Sequence, residues 1–290
     1  MQSVGPPLNQ PSVEERFVDL DGFRMRYLHA GAGPPVVLIH GLMGYSFSWR
    51  NTILQLSDRF EVFAIDALGT GYSDRPPALD CALKACAQRL LRFMDAVGRG
   101  PFVVLGTSHG GAIAMMAAAL LPERVRRLIL VAPANPWAPR GKRLAPFLSS
   151  PLVAPLFVQA ATHSRNLRRY YFRRLWGDPR RITPDTFEGY MKPLERAGAW
   201  DYGISVLRRW NKDLQELKLA LPRIAHIPTM LIWGNRDKAV APTSAERLKQ
   251  NFRQCQLIMM DGVGHLPYEE ARDEFNRMVR GFILPGSHCT

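Results

Sequence analysis

The chain has 290 residues, of which 47% are hydrophobic and 22% charged, and its formal charge is +13. That balance excludes a disordered or fibrous chain and supplies enough apolar surface for one large core, or for one core with an inserted segment. The four cysteines, Cys81, Cys86, Cys255 and Cys289, have neither zinc-ligand spacing nor the density of a secreted disulfide scaffold, which predicts a reducing, cytoplasmic setting.

The opening stretch MQSVGPPLNQPS is polar and proline-rich, with no apolar run of the signal-peptide kind, so 1–16 and 285–290 are expected to be flexible termini. Cys289, second from the end, does not make a prenylation box. RFVDLDGFRMRYLHA predicts a hairpin turning at Asp21-Gly22. Pro34 to His40 is a continuous apolar run of the buried parallel type. A helix around Ser48 to Ser57, a strand from Phe60 to Asp66, a helix near Ala82 to Val97 and the strand PFVVLG follow, then an Ala-rich helix and the strand Arg127 to Pro133.

From Ala134 to Pro222 this alternation stops. The stretch LAPFLSSPLVAPLFVQAAT is apolar but broken by proline, too interrupted to span a bilayer, and the basic, aromatic RNLRRYYFRRLW comes after it. Nine of the thirteen excess positive charges fall between Arg140 and Arg181, where ten basic residues accompany one acid, Asp178. The segment carries no nucleic-acid-binding motif, so a solvated helix face is its plain reading. Strands and helices then resume with Pro228 to Gly234, a helix opened by the capping pattern Thr243-x-x-Glu246, the strand CQLIMM and a closing helix from Leu266 to Ile283. The pattern predicts a doubly wound, mostly parallel α/β sheet, with a core of 17–133 and 223–284 and a helical cap over 134–222.

The stretch VVLGTSHGGAIAMMAAAL turns from strand to helix at Gly106-x-Ser108-x-Gly110. A turn that tight strains its central residue and needs flanking glycines, because a Cβ there would collide with neighbouring backbone. It lifts the Ser108 hydroxyl beside the N-terminus of a helix, where free amides favour negative charge, and so presents a nucleophile. A serine hydroxyl needs a base. Among seven histidines, His265 follows the last strand in the loop DGVGHLPYEE, at the carboxyl edge of the sheet. His29 belongs to the hairpin, His163 to the cap, His226 to a turn and His288 to the tail, while His109, next to the serine, points another way. For the acid that orients the base, Asp66 and Asp261 read as structural and the seat at Asn135 holds no carboxylate. Asp237, in IWGNRDKAV beside the His265 loop, is preferred. The turn His40-Gly41-Leu42-Met43-Gly44 would offer the amide of Leu42, with that of His109, to an oxyanion.

These residues resemble the α/β-hydrolase superfamily in its capped form. The likeness rests on the elbow, on HGLMGYSFSW, on DALGTGYSDRP, on IWGNRDKAVAP and on GHLPYEEARDEFNRMVRGFI, and runs from Phe17 to Ile283 except the cap. It implies that fold, with Ser108, Asp237 and His265 as catalytic triad in the family's chain order and Leu42 and His109 as oxyanion hole. Haloalkane dehalogenases and epoxide hydrolases of the superfamily carry aspartate at the elbow, where this chain has Ser108. The HGGG branch of lipases and esterases is not matched. Hydrolases of ring-fission diketones share GYSD but usually show HG-x-GPG where this chain has HGLMG, and proline iminopeptidases need an acidic pocket, which a basic cap does not suit.

Three readings follow. The first is a carboxylesterase-type serine hydrolase without metal or organic cofactor, acting on a small ester with an apolar acyl or aromatic part, for which Leu144 to Ala161 would supply the pocket. The second keeps the triad and cleaves a C–C bond in a ring-fission diketone, with cap arginines on the substrate carboxylate. The third is a protein that binds a ligand or an anionic membrane surface, for which Arg165, Arg169 and Arg173 beside Leu167, Tyr170, Tyr171 and Leu175 would make an interfacial helix, although such a helix more often packs on its own core. Nothing in the sequence sets the oligomeric state.

Overall fold

A computed structural model of the protein describes residues 12–284. In chain order the elements are β1 (Glu14–Leu20), β2 (Phe23–Ala30), β3 (Pro35–Ile39), α1 (Arg50–Leu56), β4 (Glu61–Ile65), α2 (Leu83–Ala96), β5 (Phe102–Thr107), α3 (His109–Leu120) and β6 (Val125–Val131). The segment up to the next strand holds α4 (Pro139–Leu148), α5 (Val153–His163), α6 (Arg165–Arg174), α7 (Pro184–Met191) and α8 (Asp201–Ala220). It is followed by β7 (Thr229–Gly234), α9 (Ala245–Lys249), β8 (Cys255–Met260), α10 (Pro267–Glu270) and α11 (Arg272–Ile283).

The described strands form one eight-stranded sheet in the order β1-β2-β4-β3-β5-β6-β7-β8. Its first two strands make the antiparallel hairpin, closed by Asp21 and Gly22, both at positive φ (58° and 82°), as a two-residue turn matched to strand twist requires. From β4 onward the sheet is parallel, and its strands are apolar on both faces because helices cover both. Val37, Ile39, Val104, Leu128, Leu130, Leu231 and Trp233 pack with α2, α3 and α9. Their alternating neighbours Val36, Leu38, Val103, Leu105, Ile129, Val131, Met230 and Ile232 pack with α1 and α11. The order of strands reverses at β3, which lies between β4 and β5, and this switch opens a crevice at the strands' carboxyl ends. Pairing of Ile39 with Gly106 brings the residues after β3 beside those after β5.

Several boundaries differ from the sequence expectation. β1 starts at Glu14, inside the stretch expected to be flexible; 1–11 and 285–290 lie outside the described residues. The helix expected at Ser48 to Ser57 is a 3-10 turn, Ser46–Trp49, running into α1. The closing helix is interrupted at Ala271 (φ −134°, ψ 52°), giving α10 and α11. The Thr243-x-x-Glu246 capping box does not form. The residue before α9 is Ser244, whose hydroxyl donates to Ala241 O at 2.7 Å and accepts from Asn135 Nδ2 at 3.1 Å instead of capping the helix. Finally, α8 is only half a cap helix, since Tyr202, Val206, Leu214 and Leu217 sit in the main core and Asp213 Oδ2 accepts the amide of Leu83 at 3.1 Å. No single helix among the described residues is long and apolar enough to cross a membrane.

Candidate active site

Ser108 occupies the corner between β5 and α3 at φ 53°, ψ −120°, a conformation that costs a non-glycine residue energy and persists only where packing enforces it. The enforcement is visible on both sides. The amide of Ser108 donates to Val131 O at 2.9 Å, while its carbonyl accepts from Ala134 N at 2.9 Å and Gly111 N at 3.0 Å. A Cβ on Gly106 would lie 2.4 Å from Gly110 O, one on Gly110 2.3 Å from His40 O, and one on Gly111 2.6 Å from Pro133 Cβ, so helix and strand approach more closely than any side chain allows. Ser108 is half-buried and lines a cavity of about 1120 Å³ between the carboxyl edge of the sheet and helices α4 to α7.

His265 lines the same cavity from the loop after β8. Its Nδ1 is 2.7 Å from Asp237 Oδ2, and both side chains are buried. The other oxygen of Asp237 accepts the amides of Ala239 at 2.7 Å and Val240 at 3.0 Å. A carboxylate only accepts, so the proton of the neutral imidazole sits on Nδ1 and Nε2 keeps its lone pair. The loops meet because Gly234 and Gly264 leave room: a Cβ on Gly234 would be 2.2 Å from Gly264 O.

His40-Gly41-Leu42-Met43-Gly44 forms a turn beside the serine, closed by Gly44 N donating to Gly41 O at 3.0 Å, with Met43 at φ 63°. A Cβ on Gly41 would stand 3.2 Å from that of Ser108, a tight contact that could be relieved only by a shift of a few tenths of an ångström between the turn and the serine. His40 pins the turn through Nδ1, 2.8 Å from Gly41 O, and Nε2, which accepts the amide of Ala67 at 3.1 Å. Burial holds its pKa below the ordinary histidine value and keeps it neutral. Leu42 lines the cavity. His109 opens α3, where the first amides have no partner within the helix. Its ring leaves the cavity for a stack on Trp210 (centroids 6.3 Å apart), where burial, and then the neighbouring His40, push its pKa down to about 3.

The other candidates stand elsewhere. Asp66 is fully buried as a structural hub, accepting from Ser46 N at 2.8 Å, Tyr72 N at 2.9 Å and Arg26 Nη1 at 3.1 Å. Asp261 is exposed and accepts from Asn235 Nδ2 at 2.6 Å. Asn135 is closed off by bonds to Pro133 O, Ser244 Oγ and Trp137 N. His29 lies against Glu61 at 3.0 Å, His163 and His226 are exposed, and His288 lies outside the described residues.

Two acids that the sequence reading did not single out hold the site together. Glu270 accepts the amides of Gly177, Asp178 and Gly264 at 2.8–3.1 Å, clamping the end of α6 onto the loop of His265, whose own amide donates to Leu175 O at 2.6 Å. Glu269 binds Arg50 through both oxygens (2.5 and 2.9 Å) and accepts from Tyr190 Oη at 2.8 Å, tying α7 to the core. Both occur in LPYEE, where no spacing or periodicity marks them.

The cavity wall is mostly apolar, with Leu144, Phe157, Leu167, Met191, Leu194 and Trp200 among its residues. Among the described residues no Asp or Glu lines it, whereas Arg140, Arg143, Arg174 and Lys238 do. Arg168 reaches it too, but is buried and committed to Ala161 O, Thr162 O and Glu195. Among the described residues no group of three or more His, Cys, Asp or Glu side chains is placed to hold a metal ion.

A family model described as alpha/beta hydrolase fold matches residues 34–271. The chain is 30% identical to haloalkane dehalogenase 2 of Mycobacterium tuberculosis, over 90% of its length and 91% of the relative's. It is 29% identical to lipase 1 of Psychrobacter immobilis, over 92% and 83%. Among solved structures, a meta-cleavage product hydrolase from Pseudomonas fluorescens superposes with a TM-score of 0.79 at 25% identity, covering 92% of this chain and 97% of that one.

Proposed function

The chain belongs to the α/β-hydrolase fold family, and from that premise we propose that it is a serine hydrolase that cleaves carboxylic esters with a long apolar acyl part. The observation that carries this reading is the pairing of His265 with Asp237 at the wall of the cavity that Ser108 also lines.

In the proposed cycle Ser108 attacks the ester carbonyl while Nε2 of His265 takes its proton, and Asp237 stabilises the imidazolium that results. The amides of Leu42 and His109 receive the oxyanion, a pair of donors each of which typically lowers such a barrier by about 3 kcal/mol. His265 returns the proton to the leaving alcohol, then draws a proton from water, whose oxygen attacks the acyl-serine, and passes it to Ser108 Oγ as the acid is released. Every step uses groups of this chain and water.

The serine also weighs against the chemistry named for the dehalogenase relative. If Ser108 displaced a halide from an alkyl carbon the product would be an ether, which a histidine-activated water cannot cleave, whereas an acyl ester is readily hydrolysed. An apolar cavity of about 1120 Å³ exceeds what a short acyl chain fills and supports a long one.

A second reading retains the same three residues but cleaves a C–C bond in a ring-fission diketone. It is supported by the likeness to the meta-cleavage product hydrolase and by arginines at the cavity that suit a substrate carboxylate. The test is a series of p-nitrophenyl esters of rising chain length, set beside a ring-fission dienoate, on the wild type and on Ser108→Ala. The ester reading expects kcat/KM to rise about fourfold for each methylene that enters the cavity, at about 0.8 kcal/mol each, and to be almost wholly lost in a variant that stays folded. A clear preference for the dienoate overturns it.

A further inference from the structure

The mouth of the cavity has a chemistry that hydrolysis does not call for. Thirteen large apolar residues are exposed among those described, and six of them, Leu144, Phe147, Leu152, Leu156, Tyr170 and Tyr171, fall within α4, the corner after it, α5 and α6. They are not marginal cases: Leu152 is 84% exposed, Leu156 68% and Phe147 60%. Leu144, Phe147, Tyr170 and Tyr171 also line the cavity, so they form the rim through which substrate passes. Leu152 and Leu156, one helical turn apart, extend the apolar surface outward from that rim. Phe157, next to Leu156, packs against Tyr171 with ring centroids 6.4 Å apart, which joins α5 to the lip made by α6.

Charge along these helices is of one sign. From Pro139 to Arg174 there are eight Lys and Arg residues and no Asp or Glu. Arg168 is turned inward to Glu195, and Arg165 pairs with Glu188. Lys142, Arg143, Arg169, Arg173 and Arg174 are exposed and, among the described residues, have no carboxylate within salt-bridge distance. Cations without counter-charge around exposed leucine and tyrosine are the two halves of an interfacial binding surface, the apolar part entering the acyl boundary and the cations meeting anionic headgroups. The helices cannot instead cross the bilayer as one rod, because α4 and α5 are bent 94° from each other at their junction. A nucleic acid would take up the cations but leave six large apolar side chains in water, and a second copy of this chain would bring like charge against like.

We propose that the cap face made by α4, the corner at Leu152, α5 and α6 docks on an anionic lipid surface, with the mouth of the cavity toward the lipid. Acyl substrates then reach Ser108 from the bilayer without crossing water. The docking itself goes beyond the esterase reading and does not depend on it, so it is measured in the full-length Ser108→Ala protein, where lipid is not turned over.

The experiment is sedimentation with vesicles of phosphatidylcholine alone or mixed with phosphatidylglycerol, at low and high salt. Two surface pairs are tested, Leu152→Asp with Leu156→Asp, and Lys142→Glu with Arg173→Glu, none of which lines the cavity. The expected result is partition onto the mixed vesicles at least tenfold stronger than onto phosphatidylcholine, lost at high salt, and weakened at least tenfold by either pair. Each pair should keep the thermal midpoint of the unsubstituted protein, which shows that the fold is intact. Absence of binding, equal binding to both vesicles, binding unchanged by the pairs, or a lipid-free dimer that Leu152→Asp dissociates would each overturn the proposal.

Discussion

His265 Nδ1 lies 2.7 Å from Asp237 Oδ2, while Asp237 Oδ1 is fixed by the amides of Ala239 and Val240. The carboxylate is therefore held before any substrate arrives and dictates which nitrogen of His265 carries the proton. Asp237→Asn keeps the shape but can offer its NH2 group to Nδ1, which moves the imidazole proton to Nε2 and removes the base. Turnover of a p-nitrophenyl ester should fall by about 10³- to 10⁴-fold with little change in KM. Steady-state kinetics on the folded variant checks this, and a loss below tenfold would remove Asp237 from the proposed cycle.

The positions of these side chains were legible because each follows a strand that reads plainly. Strands covered on both faces become continuous apolar runs, so VVLIH, PFVVLG and PTMLIWG announce themselves, and the residue types just beyond them are the ones exposed at the sheet's carboxyl edge. What was not legible depends on contacts between distant segments. The break at Ala271 has no glycine or proline to mark it. The amphipathic pattern of α8 is the same whether its apolar side meets the cap or the core, and it meets both through Leu214, Leu217 and Tyr202 on the core side. Ser244 precedes α9 without capping it, its hydroxyl engaged by Ala241 O and by Asn135, over a hundred positions earlier. Glu270 is the clearest case, a glutamate in a run of polar residues whose partners all come from folding.

Glu270 joins two structures that must stay in register, the exit of α6 and the loop of His265. Glu270→Gln replaces one acceptor oxygen by an NH2 group that faces amide donors, and the amides left without a partner cost about 1–3 kcal/mol. The thermal midpoint should drop accordingly. Because His265 is held at its main chain by Leu175 O, the slack should also reach the imidazole and lower kcat by about tenfold to a hundredfold, with KM for a short ester nearly constant. A variant with reduced stability and unaltered kcat would show that the clamp serves the fold alone.

Stability should weaken in mild acid for a reason located at two histidines. Burial holds both His40 and His109 below the ordinary value, His109 to about 3, so the folded protein keeps them neutral while the unfolded chain protonates them near pH 6.5. Their contribution is fully present above pH 6.5 and is lost as the pH falls below it, for His109 down toward about 3, because only the unfolded state takes up protons there. Between pH 7 and pH 5 His109 should remove about 2 kcal/mol, and His40 acts in the same direction. His109→Phe retains the ring against Trp210 and the main-chain amide, and urea denaturation at the two pH values should find its acid loss smaller than the wild type's by about that amount. Equal losses in the two proteins would place the acid sensitivity elsewhere.

Two glycine substitutions of the same chemical size should act in opposite directions. Gly110→Ala puts a methyl group 2.3 Å from His40 O and 2.5 Å from Ile39 O, both main-chain atoms that cannot yield without moving β3 from β5. The elbow would have to open, separating Ser108 from the Gly41 turn, and the cost should be about 3 kcal/mol or more together with loss of ester turnover. Gly281→Ala places the same methyl where no described residue lies within 4 Å, in the last turns of α11. There the main effect is to restrict the unfolded chain and favour helix, so stability should rise by about 0.5–1 kcal/mol with activity unchanged. Chemical denaturation of both variants beside the wild type checks the contrast, and a Gly110→Ala protein as stable and as active as the wild type would mean that helix and strand do not need their close approach to hold Ser108 in its strained conformation.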